Sequence, residues 1–230
     1  MCGCSGIARN VAIMRTKFQS AMQSAGAVLA AIMLLSLAQL GIRAQTGNAA
    51  SGLKTADIFV SGANGVDTYR IPGLVVTRKG TLLAYAEARR GGSGDWGAID
   101  LVMRRSTDGG ATWSAQEIIA SVPGEKSRSP VSPVQGPAGQ GALTYNNPIA
   151  ITGRAPGVVH FLFCLEYMRA FYMRSLDDGR TFSAPVEITG AFEEFRKTYP
   201  WKVIATGPGH GIELKNGRLI VPVWLSLGTG

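Results

Sequence analysis

The sequence predicts an all-β protein assembled from repeated antiparallel sheet units, as in a β-propeller. Three observations carry that expectation. Short segments rich in Val, Ile, Leu and aromatic residues recur at close spacing, separated by turns drawn from 30 glycines and 11 prolines. An octapeptide of the form Ser-x-Asp-x-Gly-x-Thr-aromatic occurs twice, as STDGGATW at 106–113 and SLDDGRTF at 175–182, which marks an internal repeat. Helical periods are few. A hydrophobic share of 46% with 8% aromatics suits a packed globular chain and excludes a disordered one.

The elements follow in order. Residues 25–42, AGAVLAAIMLLSLAQLGI, are apolar apart from Ser36 and Gln39. Arg9, Arg15 and Lys17 precede them, no acidic residue occurs before Asp57, and the small Ala44 follows. That order reads as a secretory signal over 1–44, which implies a secreted or periplasmic protein with membrane contact only through this segment. An uncleaved anchor is the competing reading, because about 18 apolar residues just span a bilayer. Residues 45–54 are small and polar and read as a linker, and 55–230 read as the propeller domain. GLVVTRKGTLLAYAEAR is a strand pair around Lys79-Gly80, and IDLVMRRS leads into the first octapeptide. Residues 122–141 form a long Pro-, Ser- and Gly-rich loop. PIAITGRAPGVVHFLFCLEY is a second pair, and AFYMRS leads into the second octapeptide. GAFEEFRKT, near 190–198, reads as a short helix. GIELKNGRLIVPVWL is a third pair, with Asn216-Gly217 the strongest hairpin signal in the chain.

Every residue of the octapeptide has a folding role. Asp108 and Asp177 bond backbone N–H groups of their own turns. Gly110 and Gly179 supply positive φ. Ser106, Thr112, Ser175 and Thr181 complete the motif, and Trp113 and Phe182 fold under the turn to pack in the sheet layer. The repeat is therefore a hairpin staple and not the chemistry.

Charge and cysteine content exclude other classes. Residues 1–44 hold four basic and no acidic residues, so without them the net charge falls from +8 to +4 and nucleic-acid binding loses most of its support. Beyond residue 44 only Cys164 remains, within apolar HFLFCLEY, so no internal disulfide forms there. His160 and His210 lack ligand spacing, and neither a metal nor another cofactor is expected.

YRIPGLVVTRKGTLLAYAEARR at 69–90 resembles the opening of the catalytic domain of bacterial-type exo-α-sialidases (neuraminidases). The resemblance continues through GDWGAIDLVMRRSTDGGATW, NNPIAI, RSLDDGRTFSAPVEIT and ATGPGHGIELKNGRLIVP, and covers about 55–230. In that family the octapeptide is called the Asp-box, or BNR repeat. The resemblance implies a six-bladed propeller with its site at the centre of one face and the Asp-boxes at the periphery. At roughly 40–50 residues per blade, the chain would hold the first few blades only.

The resemblance also implies roles. Arg70, in YRIP, matches one of three arginines that grip the substrate carboxylate, a planar fork meeting a planar anion. Arg89, in AEAR, matches an arginine that shapes the pocket, and Arg90 points to the opposite face of the strand. Asp95, in GGSGDWG, matches the general acid/base, and glycines 91, 92, 94 and 97 make its loop flexible enough to close over substrate. Asp100, at the head of a strand, reads as structural. Asn147 falls where the family places a residue near the sugar's amide or 4-hydroxyl, and His210 reads as a loop residue. The family's tyrosine nucleophile, its glutamate and two further arginines find no match within 230 residues. The expectation is thus the N-terminal portion of a retaining exo-α-sialidase acting on sialylated glycans, inactive by itself. The alternative is a non-catalytic carbohydrate-binding Asp-box propeller, which would not need Asp95.

Overall fold

The computed structural model describes residues 54–124, 127–133 and 143–228. The expected signal segment 1–44, the expected linker up to residue 53 and part of the expected 122–141 loop lie outside them. Residues 55–228 belong to one compact unit.

The first sheet contains β1 (Thr68–Val76), β2 (Leu82–Arg90), β3 (Ala98–Ser106) and β4 (Glu117–Ile118), antiparallel and in sequence order. The second repeats it with β5 (Tyr145–Thr152), β6 (Val159–Leu165), β7 (Arg169–Ser175) and β8 (Val186–Glu187). These are two four-stranded units of the expected kind. Among the described residues the sheets do not close into a ring. The expected Lys79-Gly80 turn is present, with Gly80 at φ 85°. The segment near 190–198 is a 3₁₀ helix, Thr189–Lys197.

One expectation changes. β9 (Val203–Thr206), β10 (Ile212–Glu213), β11 (Leu219–Ile220) and β12 (Val223–Ser226) form two separate pairs. The Asn216-Gly217 hairpin exists, but β10 and β11 share only two residue pairs. The second half of the expected partner strand, after Pro222, leaves to pair with β9 over four residues. Proline has no N–H to continue the first ladder.

The two four-stranded sheets pack face to face. Leu83 and Tyr85 of β2 and Leu101 and Met103 of β3 meet Phe161, Phe163, Phe171 and Met173 of β6 and β7. Tyr85 stands edge-on to Phe161, centroids 5.6 Å apart, and its hydroxyl accepts the Ala150 N–H at 3.1 Å. Side chains alternate along a strand, so Leu83, Tyr85, Glu87 and Arg89 share one face of β2. Its outer half is core and its inner half is ionic.

Both Asp-boxes fold alike. Asp108 Oδ1 accepts the Ser106 hydroxyl at 2.7 Å and the Thr112 N–H at 2.9 Å, and Oδ2 accepts the Thr112 hydroxyl at 2.6 Å. Asp177 has the same three contacts with Ser175 and Thr181, at 2.8, 2.9 and 2.6 Å. Gly110 and Gly179 take φ values of 91° and 76° and donate their N–H to Ser106 and Ser175. Phe182 packs on Phe161 in the core, at 5.7 Å. Trp113 is only half-buried, with its indole N–H on Gly110 O at 3.2 Å, so it contributes less packing than full burial would.

The contacts from Thr112 and Ser106 hold the Asp108 carboxyl down at about 2. Burial opposes the same effect at Asp177, but the Thr181 and Ser175 contacts still leave it well below the carboxylate range. A carboxyl depressed in the folded state stabilises at pH above its unfolded value, and that stability disappears as pH falls through the folded value. The urea midpoint of the protein should therefore drop between about pH 4 and about pH 2, the value at which Asp108 is held. Asp108→Asn should start lower at neutral pH and show a shallower drop. An equally steep drop in the variant would remove Asp108 as a source.

Candidate active site

Two proline segments interrupt the ladders near the candidate residues. In YRIP, Ile71 takes φ 52° immediately before Pro72, and the β1–β2 register shifts between Arg70 and Gly73. In NNPIAI, Asn147 takes φ 53° before Pro148, with the same shift between Asn146 and Ile149. The residue before a proline ordinarily stays extended, and a β-branched residue with left-handed backbone is an outlier costing on the order of 1–3 kcal/mol. Both irregularities interrupt a strand ladder, and Arg70 is the last residue paired before the first of them, opposite Glu87.

Arg70, Arg89 and Asp95 come together. Asp95 Oδ1 accepts from Arg70 Nη1 at 2.9 Å and from Arg89 Nη1 at 2.8 Å. The two arginines differ in setting. The Arg70 side chain is 46% exposed, whereas that of Arg89 is 1% exposed. Arg89 is paired on its other edge with Glu87 on the same strand, through Nε at 3.0 Å and Nη2 at 2.5 Å. Burial alone would lower the Arg89 pKa, but the Glu87 and Asp95 carboxylates reverse this and hold it above the ordinary value. Burial pushes the Glu87 carboxyl up, against the pull of the Asn147 N–H and the Arg89 guanidinium.

The loop that carries Asp95 is more constrained than its four glycines imply. Gly91 and Gly92 donate N–H groups to Asp67 Oδ2 at 2.6 and 2.8 Å. At the far end, the Thr144 hydroxyl bonds both the N–H and the carbonyl of Gly97, at 3.0 and 3.1 Å. In the middle, Arg89 Nη1 donates to the carbonyls of Ser93 and Gly94, each at 2.7 Å. Gly91, Gly92 and Gly97 lie at φ 89°, 109° and 133°, so they serve a fixed shape as well as freedom.

Beside Asp95 lies a pocket of about 420 Å³ walled by Trp96, Tyr167, Val203 and Trp224. Trp96 and Tyr167 are 4.8 Å apart between ring centroids, and Tyr167 and Trp224 6.5 Å. Aromatic faces next to a carboxylate suit the C–H faces of a sugar ring and its apolar substituents. Burial raises the Tyr167 pKa, and the nearby Glu87 and Asp95 carboxylates raise it further, so the phenol stays neutral and acts as a wall.

The other candidates sit apart or beneath. Asn147 is buried, its side-chain oxygen taking the Asn146 amide at 2.8 Å, its N–H on Glu87 at 2.8 Å and its carbonyl on the Thr206 hydroxyl at 2.9 Å. Arg90 leaves on the other face to pair with Asp100, as strand alternation requires. His210 lines a separate groove with Phe59, Leu74, Ala84 and Ala86. Cys164 is buried, its thiol pushed up to about 11 by burial, and is inert. No group of three metal-binding side chains occurs among the described residues.

Sequence reasoning missed Glu87, Trp96, Tyr167 and Trp224. Glu87 was legible as part of AEAR, two residues from Arg89 and so on its face. Tyr167 had no signal. It stands with Glu166 and Met168 in the three-residue turn between Leu165 and Arg169, where Glu166 and Tyr167 take left-handed φ values of 56° and 49° that non-glycine residues rarely adopt. Glu166 holds that turn through the N–H groups of Thr144 and Ser129, at 2.8 and 3.2 Å.

The BNR repeat-like domain family matches residues 80–229. A sialidase of Bacteroides fragilis is 33% identical over 176 residues, covering 67% of this chain and 30% of its own length. Sialidase-3 of Rattus norvegicus is 31% identical over 165 residues, covering 70% and 38%. The solved structure of the Hadza microbial sialidase Hz136 superposes with a TM-score of 0.55 at 27% identity, covering 72% of this chain and 34% of that one. The chain thus spans about a third of the length of these relatives. The match extends over both Asp-boxes and most of the Asp95 loop's own sheet, and the chain belongs to the sialidase family and carries its BNR repeat-like domain.

Proposed function

We propose that the protein is a retaining exo-α-sialidase that releases terminal sialic acid from glycoconjugates. The observation that carries this reading is the meeting of Arg70, Arg89 and Asp95 at the edge of the aromatic pocket. Sialic acid bears a carboxylate on its anomeric carbon. Arg70, partly exposed, takes that carboxylate, and Asp95 lies within reach of the bond to be broken. Asp95 then gives a proton to the departing oxygen and later takes one from water. Arg70 is paired with Asp95, so an incoming substrate carboxylate competes with Asp95 for it. The full reading includes a six-bladed ring, secretion through residues 1–44, and a tyrosine nucleophile with two more arginines supplied by the rest of a protein as long as the relatives. On this reading the 230-residue chain alone does not turn over.

The test is leaving-group dependence in the full-length protein. Asp95→Ala should depress hydrolysis of a natural sialoside by roughly 10²–10⁴-fold, the scale of general acid–base catalysis. An aryl sialoside with an activated phenol leaves without much protonation and should suffer far less in its first step. Equal loss on both substrates would take the proton-transfer role from Asp95. Binding without any turnover by the unaltered protein would favour a carbohydrate-binding propeller instead.

A further inference from the structure

We propose that Glu87 is the positioning residue of the acid loop, setting the pose of Asp95 through Arg89; this rests on the sialidase reading. Glu87 is fully buried. One oxygen accepts the Asn147 N–H and the other takes two guanidinium nitrogens of Arg89. Neither oxygen faces the pocket, so Glu87 touches no substrate and moves no proton in the reaction. Its effect is geometric. A guanidinium is a rigid planar fork. With Nε and Nη2 committed to Glu87, the direction of Nη1 is determined. That nitrogen is the one that meets the Ser93 and Gly94 carbonyls and Asp95 Oδ1.

Arg70 cannot do this work during turnover. It is half-exposed, and it is the group that the substrate carboxylate engages. Once Arg70 is taken, Asp95 keeps only its buried partner, and the buried partner is held by Glu87. The second Glu87 oxygen extends the reference frame. Asn147 belongs to β5 of the other sheet and is tied onward to Thr206 on β9. One carboxylate thereby registers the acid loop against three sheets.

Glutamine at this position cannot reproduce the arrangement. Its amide offers one oxygen, and three N–H groups from Asn147 and Arg89 need acceptors. Two measurements on Glu87→Gln separate positioning from plain stability. The first is chymotrypsin cleavage after Trp96, well below the melting temperature. Loosening of the loop should speed it about tenfold, the worth of one lost charge-assisted hydrogen bond. The second is the leaving-group split, which should copy that of Asp95→Ala, falling on kcat for the natural sialoside with KM little changed. Arg89→Lys, which keeps the charge on Glu87 but loses the fork, should loosen the loop in the same way and serves if Glu87→Gln fails to fold. Unchanged cleavage at Trp96 in whichever of the two variants folds overturns the proposal. So does an equal loss on both substrates. If cleavage rises while the unaltered full-length protein hydrolyses no sialoside, Glu87 keeps its loop role and the sialidase reading falls.

Discussion

Arg89→Ala is expected to be the most damaging of these substitutions to the fold, costing about 3–5 kcal/mol, the scale for breaking a buried ion pair from one side. Glu87 would stay behind, fully buried and charged, with only the Asn147 N–H for a partner. Burial already pushes its carboxyl up, and without the guanidinium nothing but that N–H opposes the shift. The acid loop would also lose the donor that meets two of its carbonyls. For a domain of this size the melting temperature should fall by roughly 6–20 °C, readable by circular dichroism. Adding Glu87→Gln to Arg89→Ala should restore part of the loss, because it removes the stranded charge and leaves an acceptor for Asn147. Strict additivity of the two changes would mean that the pair is not coupled.

Arg70→Lys should behave in the opposite way, sparing the fold and crippling turnover. Arg70 is half-exposed, and its pairing with Asp95 is shared with Arg89, so the melting temperature should barely move. Lysine keeps the charge but cannot present two parallel N–H groups to a carboxylate. The loss of such a contact in a closed site is roughly 2–5 kcal/mol, which means at least about thirtyfold in kcat/KM. Hydrolysis of a fluorogenic sialoside by the full-length protein measures it. Near-normal kcat/KM would remove Arg70 from the site. A large drop in melting temperature would show that Arg70 supports the fold instead.

The contrast between these two arginines was only partly legible. Both were candidates from their motifs, and alternation along β2 correctly sent Arg90 to the other face. That Arg89 is buried and Arg70 is not depends on what lies across from β2. Leu83 and Tyr85 point at the core of the neighbouring sheet, while Glu87, on the same face, bonds Asn147 of that sheet and pairs with the buried Arg89. Asn147 shows the same limit. Its motif marked it as a pocket residue, yet its side chain is buried on Asn146 and its backbone does the bonding.

The sequence by itself determined the two four-stranded units with their turns and both Asp-boxes, and its motifs marked Arg70, Arg89 and Asp95, which the fold brings together. The turns and Asp-boxes are each written within a short stretch: alternation, a Gly at positive φ, or a motif whose atoms bond one another across four residues. Only the tertiary structure decided the rest. β12 pairs with β9 and not with its hairpin neighbour, because that ladder joins residues some twenty apart and competes with a local one that Pro222 interrupts. Glu87 bonds Asn147 across sixty residues. The pocket draws Trp96, Tyr167 and Trp224 from three parts of the chain. Contacts of that kind form when sheets pack, and which residues they join depends on how the sheets stack, a quantity no local pattern encodes.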